Sequence, residues 1–278
     1  MLEEQRLYQY YKDEKEGKIS QRVLIWCLVI LVVFYVLLFI TNSWFQNNYR
    51  YVTINGTSMQ PTLNPNPVNI NGNDVQDAVY IKLTSEDITY GDIIIIDKST
   101  YNYNTSVIKR LLALDGDQIS IAKVHVVQGN DNYTEYRFMR IKEGSSEIEI
   151  VYEDYIAGYG IWNSYVPILD NEVYYEPYFY RMFLEDSRTT THYVEGVGNV
   201  KFYTVMPGQI FYMGDNRTGS TDARWTGTDS QENVIGRVVS IVHNSTSIQN
   251  SLFWWTGRIK EYFAIVFDEI IKYFAWTY

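Results

Sequence analysis

The chain reads as mostly β structure set between two helices, the first long enough to cross a lipid bilayer. Three observations predict this. Val23 to Ile40 is an unbroken apolar run. Beyond it, short runs rich in β-branched and aromatic residues recur between clusters of Gly, Pro, Asn and Asp, the pattern of a mostly antiparallel β domain. Near the end, apolar residues return at helical spacing. With 278 residues there is room for one large domain or two small ones. A net charge of −10 argues against nucleic acid as a partner, because its recognition needs basic patches. The single cysteine, Cys27, excludes an internal disulfide framework and reads as one more apolar side chain of the first run.

Residues 1–22 are polar and carry Arg6, Lys12, Lys15, Lys18 and Arg22. Basic residues on this flank predict a cytoplasmic N-terminus and an extracytoplasmic remainder; the acidic residues among them count little in that rule. The 18 residues of the run, at about 1.5 Å each, nearly span a ~30 Å hydrocarbon core. Thr41 to Phe45 complete a transmembrane anchor over 23–45. The run exceeds the ~7–15 apolar residues of a cleaved signal peptide, and no small-x-small site follows it, so an uncleaved single-pass anchor is expected. Trp44, Phe45, Tyr49 and Tyr51 suit an interfacial aromatic belt or ordinary packing equally well.

Strands are predicted next. Val79 to Leu83 alternates, and Ile93 to Ile96 is continuous, as for a strand buried on both faces. Val107–Leu114, Gln118–Ala122, Gln209–Met213 and Val234–Val242 follow. Turn signals at Asn64-Pro65-Asn66-Pro67, Asn71-Gly72-Asn73-Asp74, Asp115-Gly116-Asp117 and Pro207-Gly208 separate them. Residues 126–199 differ: they are acidic, tyrosine-rich and punctuated by turns, as in Tyr152-Glu153-Asp154-Tyr155 and Tyr174-Tyr175-Glu176-Pro177-Tyr178. The acidic clusters match no EF-hand spacing and read as solvated loops. In the tail, 251–278, Ile259, Phe263, Val266, Phe267, Ile270, Ile271 and Phe274 share one helical face. Mid-segment charges make a second membrane span costly. That helix suits the bilayer surface or a docking site on the domain or a partner, and the sequence leaves both open.

Three stretches carry candidate chemistry. In Ile54-Asn55-Gly56-Thr57-Ser58-Met59-Gln60-Pro61-Thr62-Leu63, the glycine permits a sharp bend and Pro61 favours an extended Gln60. Ser58 there is either a turn-capping serine or a nucleophile. In Val107 to Asp117, Lys109 stands among apolar residues; with Ile108 and Leu111 as neighbours its amine can be desolvated and its pKa lowered, as a base requires. The alternative is a surface lysine on a strand edge. The third stretch, Gly214-Asp215-Asn216-Arg217-Thr218-Gly219-Ser220-Thr221-Asp222-Ala223-Arg224-Trp225, is a polar loop after a strand. His125, His192 and His243 lie outside these blocks, and a triad that assembles in space stays open.

Together with Tyr90-Gly91-Asp92-Ile93-Ile94-Ile95-Ile96-Asp97, and in this order behind a membrane segment, these blocks resemble the type I signal peptidase family. The resemblance does not cover Gln118 to Val205. It implies a membrane-bound serine endopeptidase that removes signal peptides from exported preproteins. It implies Ser58 as nucleophile, its backbone N–H as oxyanion donor, and Lys109 as general base. Ser220 matches the serine that orients the lysine; Asp215, Asp222, Arg110 and Arg224 match supporting charges; Met59 matches a methionine that packs beside the nucleophile. No cofactor and no metal are implied. The implied partners are preprotein signal peptides, the lipid bilayer and the export machinery, with no nucleic acid. The implied layout is an antiparallel β catalytic domain, from 46–125 and 200–248, interrupted by a variable inserted β subdomain at 126–199. Gly56 stands where many members carry a serine that helps hold the oxyanion. Ala223 replaces another serine, and Ala113 and Asp115 replace a common Gly and Pro. Two other classes remain: a self-cleaving repressor-type Ser/Lys protease, which would carry a DNA-binding domain in place of the apolar run, and a non-catalytic membrane-tethered module.

Overall fold

The structure is a computed structural model that describes residues 2–64, 68–70, 73–98, 106–128, 131–156, 168–170, 173–243, 263–267 and 271. It divides into two compact units, residues 1–49 and 50–278. The first is one helix, α1 (Leu2–Asn48). It is long and apolar enough to cross a membrane, and its apolar stretch is not buried by protein. The helix also runs through the polar segment before the apolar run, because Glu, Gln, Lys and Leu there are all good helix formers.

The second unit is built on strands. In chain order they are β1 (Tyr49–Thr53), β2 (Val68–Ile70), β3 (Asn73–Val75), β4 (Ala78–Leu83), β5 (Ile93–Asp97), β6 (Ser106–Ala113), β7 (Gln118–Gln128) and β8 (Asp131–Ile141). There follow β9 (Glu149–Ile150), β10 (Ile168–Asp170), β11 (Val173–Tyr175), β12 (Thr189–Val194), β13 (Gly198–Thr204), β14 (Gln209–Met213), β15 (Asp229–Ser230) and β16 (Val234–Val242). Two curled antiparallel sheets result, and β2 and β3 form a separate small ribbon. The first sheet has the order β1-β4-β16-β5-β6-β14-β15. The second runs β10-β11-β7-β13-β12, with β8 on β7 and β9 on β8. All the predicted strands are present, with shifts of a residue or two at some ends and a longer β7.

β5 shows why its sequence is continuously apolar. Ile94 and Ile96 face a large core shared with Leu111, Phe138, Phe202 and Phe211. Ile93 and Ile95 face a smaller core with Ile54, Met59, Leu63, Val79, Ile81 and Ile108. Successive side chains point to opposite faces, so a strand between two cores has no polar positions. The large core is continuous across both sheets, since Leu111 and Phe211 of the first meet Phe138 and Phe202 of the second. In the tail, 263–267 is helical. Ile265 is buried, whereas Phe263, Phe267 and Ile271, on the predicted apolar face, are exposed. The rest of the predicted helix lies outside the described residues.

Candidate active site

Pairing between β6 and its neighbours brings the distant motifs together. Lys109 lies opposite Ile94, and Arg110 opposite Ile93 and, across the other edge, Met213. The polar loop after β14 therefore begins beside the lysine. Its first residue, Gly214, touches the serine stretch: a β-carbon there would overlap the Ser58 carbonyl oxygen and Ser220 Oγ. Asn216 completes the seam. Its backbone N–H donates to Ser58 O at 3.1 Å, and its Nδ2 donates to Thr57 O at 3.1 Å.

The serine stretch is braced from within as well. Gly56 adopts φ +94°, the bend expected of it, and Asn64 takes φ 51°, a left-handed conformation that asparagine tolerates. The Asn64 side chain donates to Ile54 O at 3.0 Å and Gly56 O at 3.1 Å and accepts from Asp77 N–H at 2.6 Å. Asp77 in turn accepts from Asn64 N–H at 2.8 Å. Met59 is buried in the same small core as Ile108. The neighbours of Ser58 and of Lys109 are thus held by one apolar cluster.

Within this frame, Lys109 Nζ lies 2.8 Å from Ser58 Oγ and donates to Ile108 O at 3.0 Å. Lys109 is 4% exposed. Burial draws its pKa down from 10.5 to about 8, against the raising influence of Asp222 and Asp215, with Lys98 and Arg224 adding a smaller lowering. Neither aspartate forms an ion pair with it among the described residues, because each carboxylate is taken by an arginine. Ser58 is partly exposed, and its N–H donates to no protein group among the described residues. An amine able to shed its proton, a hydroxyl in contact and a vacant amide donor are the components of acyl transfer.

The predicted supporting charges fall into two bidentate pairs. Arg110 Nε and Nη2 reach Asp215 at 2.8 and 2.5 Å, and Thr62 Oγ1 donates to the same carboxylate at 2.5 Å. Arg224 Nε and Nη2 reach Asp222 at 2.8 and 2.9 Å. Burial alone would raise the Asp222 carboxyl, but Arg224 and the Gly214 N–H at 3.0 Å hold it below the usual range. Ser220 is buried behind Gly214. Its Oγ does not bond Lys109 among the described residues, and it lies on the side of Asp222, whose carboxyl it helps to lower. His192 contacts Gln118 and Thr190, and His243 contacts Asp77. Neither touches Ser58, and the side chain of His125 lies outside the described residues.

The acidic clusters between β8 and β12 correct the expectation of solvated loops. Glu153 and Glu176 are 3% and 0% exposed. Glu153 grips Arg217 bidentately, one contact at 2.5 Å, and its carboxyl is lowered by that guanidinium despite burial. Glu176 caps the turn at Phe179 and lies 3.8 Å from Arg224; burial raises its carboxyl, with Arg224 opposing. No local pattern marks either glutamate, since each pairs with a residue far along the chain.

The family described as signal peptidase, peptidase S26, matches residues 23–243, and the chain belongs to that family. A curated relative, signal peptidase I of Buchnera aphidicola, is 25% identical over 185 residues, 60% of this chain. The match spans 57% of that relative's length. Among solved structures, a signal peptidase I from Enterococcus faecalis is 21% identical, covering 56% of this chain and 98% of its own, with a TM-score of 0.28.

Proposed function

We propose that this member of the signal peptidase family is a membrane-bound serine endopeptidase that cleaves signal peptides from exported preproteins. The observation that carries the reading is the 2.8 Å contact between Ser58 Oγ and a buried Lys109 whose pKa is drawn down to about 8. In the neutral state the Lys109 amine accepts the Ser58 proton as Oγ attacks the scissile carbonyl. The oxyanion accepts from the Ser58 N–H. As the tetrahedral intermediate collapses, Lys109 returns the proton to the leaving amine, and an ester remains on Ser58. Water, deprotonated by the same amine, then hydrolyses it.

The supporting residues follow from this chemistry. Lys109 Nζ has two hydrogen bonds, to Ser58 and Ile108, and a third proton when charged. Ser220, buried beside Gly214, is read as the serine that orients the lysine by its match to the family's motif. Asp215 with Arg110, and Asp222 with Arg224, keep the loop rigid while leaving the amine unpaired. In this reading residues 46–125 and 200–248 are the peptidase core, which takes in the first sheet; 126–199 is the inserted subdomain, which supplies much of the second; and α1 anchors the chain with its N-terminus in the cytoplasm. The export machinery is a further partner.

The test is direct. Incubated with a preprotein, the purified protein should release a product whose new N-terminus follows small residues at −1 and −3. Ser58→Ala should yield none. A Ser58→Ala protein that still cuts, or a wild type that does not, defeats the proposal.

A further inference from the structure

The second sheet and its connections contribute to the site at one point that the family motifs do not contain. The short turn around Asp154–Ile156 presents Glu153 and Tyr155 to the two arginines that flank Asp215. Glu153 binds Arg217 through both oxygens in a fully buried pair. Tyr155 donates to Glu153 at 2.6 Å and lays its ring against the Arg110 guanidinium, 3.8 Å from the ring centre. Arg217 passes the restraint on. Its Nε donates to Gly214 O at 3.1 Å, and its own carbonyl accepts from Arg224 Nη2 at 2.8 Å. Gly214 is the residue packed against the Ser58 carbonyl.

We infer that Glu153, with Tyr155, is a positioning residue: it clamps Arg217 so that Gly214 holds the Ser58 backbone at the geometry needed for attack. The inference rests on the reading of Ser58 and Lys109 as the reacting pair. Arg217 alone could not do this in a dry site. An unpaired guanidinium there would be uncompensated and would seek water or another carboxylate. With Glu153 in place it is fixed by two charge-assisted bonds, and its Nε grips the loop at Gly214. A displacement of the Ser58 segment by about 1 Å is enough to cost ~10²-fold in rate. The segment between the lysine and the polar loop thereby completes the site from a position that touches neither reacting atom.

The experiment compares the full-length protein with Glu153→Gln, Glu153→Asp and the double variant Glu153→Met with Arg217→Met. The double variant removes both buried charges, which proteins often tolerate, so it keeps the fold while losing the grip on Gly214. Its kcat for preprotein cleavage should fall about 10²-fold, with KM within about twofold and a thermal midpoint near wild type. Glu153→Asp should recover part of the kcat that Glu153→Gln loses. A purely structural pair predicts the reverse, a double variant with wild-type kcat, and that result overturns the inference. Hydrogen exchange supplies a readout independent of substrate. Amides of 54–63 and 214–220 should exchange about tenfold faster in the double variant, while those of β7 and β13 keep their wild-type rates. Unchanged exchange in the two site segments overturns the inference even if the wild type proves not to cleave a preprotein, a failure that bears on the reaction alone.

Discussion

Lys109 and Arg110 are neighbours on one strand, and both are buried, yet their charges are handled in opposite ways. Arg110 is held by the Asp215 carboxylate, the Gly91 carbonyl and the Tyr155 ring. Lys109 has a hydroxyl and one carbonyl and, among the described residues, no carboxylate in contact. The same contrast extends outward, since Arg217 and Arg224 are paired with Glu153 and Asp222. The difference teaches what the arginine frame is for. Among the described residues, Asp215, Asp222 and Glu153 are each occupied by a guanidinium that cannot lose its proton, which leaves Lys109 without a carboxylate partner. A lysine paired as Arg110 is paired would stay charged and be useless as a base.

Breaking the unpaired side should have the largest effect. Ser58→Ala or Lys109→Ala should each lower preprotein cleavage by at least ~10³-fold, and the double variant should be hardly worse, because the two act as a unit. Single-turnover rates on the purified proteins measure this. Near-normal turnover in Lys109→Ala would place the base elsewhere.

Breaking the paired side should act first on stability. Asp222→Asn leaves Arg224 buried without its carboxylate and should cost roughly 3–5 kcal/mol in denaturant titrations. It also removes the carboxylate that most raises Lys109. The pH at which activity rises should therefore move down in whatever fraction stays folded. A shift upward would mean that Asp222 does not act on the lysine through its charge.

Deleting the unpaired charge should do the opposite. A Lys109 pKa near 8 in the fold, against 10.5 when exposed, is a penalty of about 3 kcal/mol. Above 10.5 the amine is neutral in both states and the penalty is absent. Between that value and about 8 the unfolded chain holds the proton and the fold does not, so stability falls as pH falls. Below about 8 the penalty is complete. Lys109→Met keeps the apolar stem, so it should be inactive yet more stable than wild type at neutral pH by up to about 3 kcal/mol. Denaturation midpoints in detergent should show that gain shrinking as pH rises. A less stable Lys109→Met would mean a lysine that is charged and paired.

The smallest change is one of pH alone. Wild-type kcat should climb on the way to about pH 8 and level off as the amine becomes neutral. Profiles of Glu153→Gln and Asp222→Asn beside it would show whether the arginine frame sets that limb.

Much of this molecule was legible in its residues, element by element. The apolar run of α1 declares itself because lipid admits no polar interruptions. Ile93 to Ile96 announced a strand between two cores, which the structure bears out with one face on each. Ser58, Lys109 and the loop from Gly214 stood out because turn chemistry, an apolar-flanked lysine and a dense polar loop are local patterns. Met59 is buried in the small core. Ser220 lies against Gly214. Asn64 stood out only as part of a turn signal and Asp77 not at all, yet together they tie off the serine stretch.

The sequence by itself determined where strands and the long helix form, because hydrophobic periodicity is set within a few residues. It also marked which side chains were candidates to react. Only the tertiary structure decided who neutralises whom. Glu153 and Arg217 stand 64 residues apart, and Arg110 and Asp215 stand 105 apart. No local periodicity encodes such pairs, since a carboxylate is equally suited to water and to any guanidinium that the chain brings near. Burial removes the first option. The order of strands in the two sheets then selects which arginine each acid meets and leaves Lys109 with none.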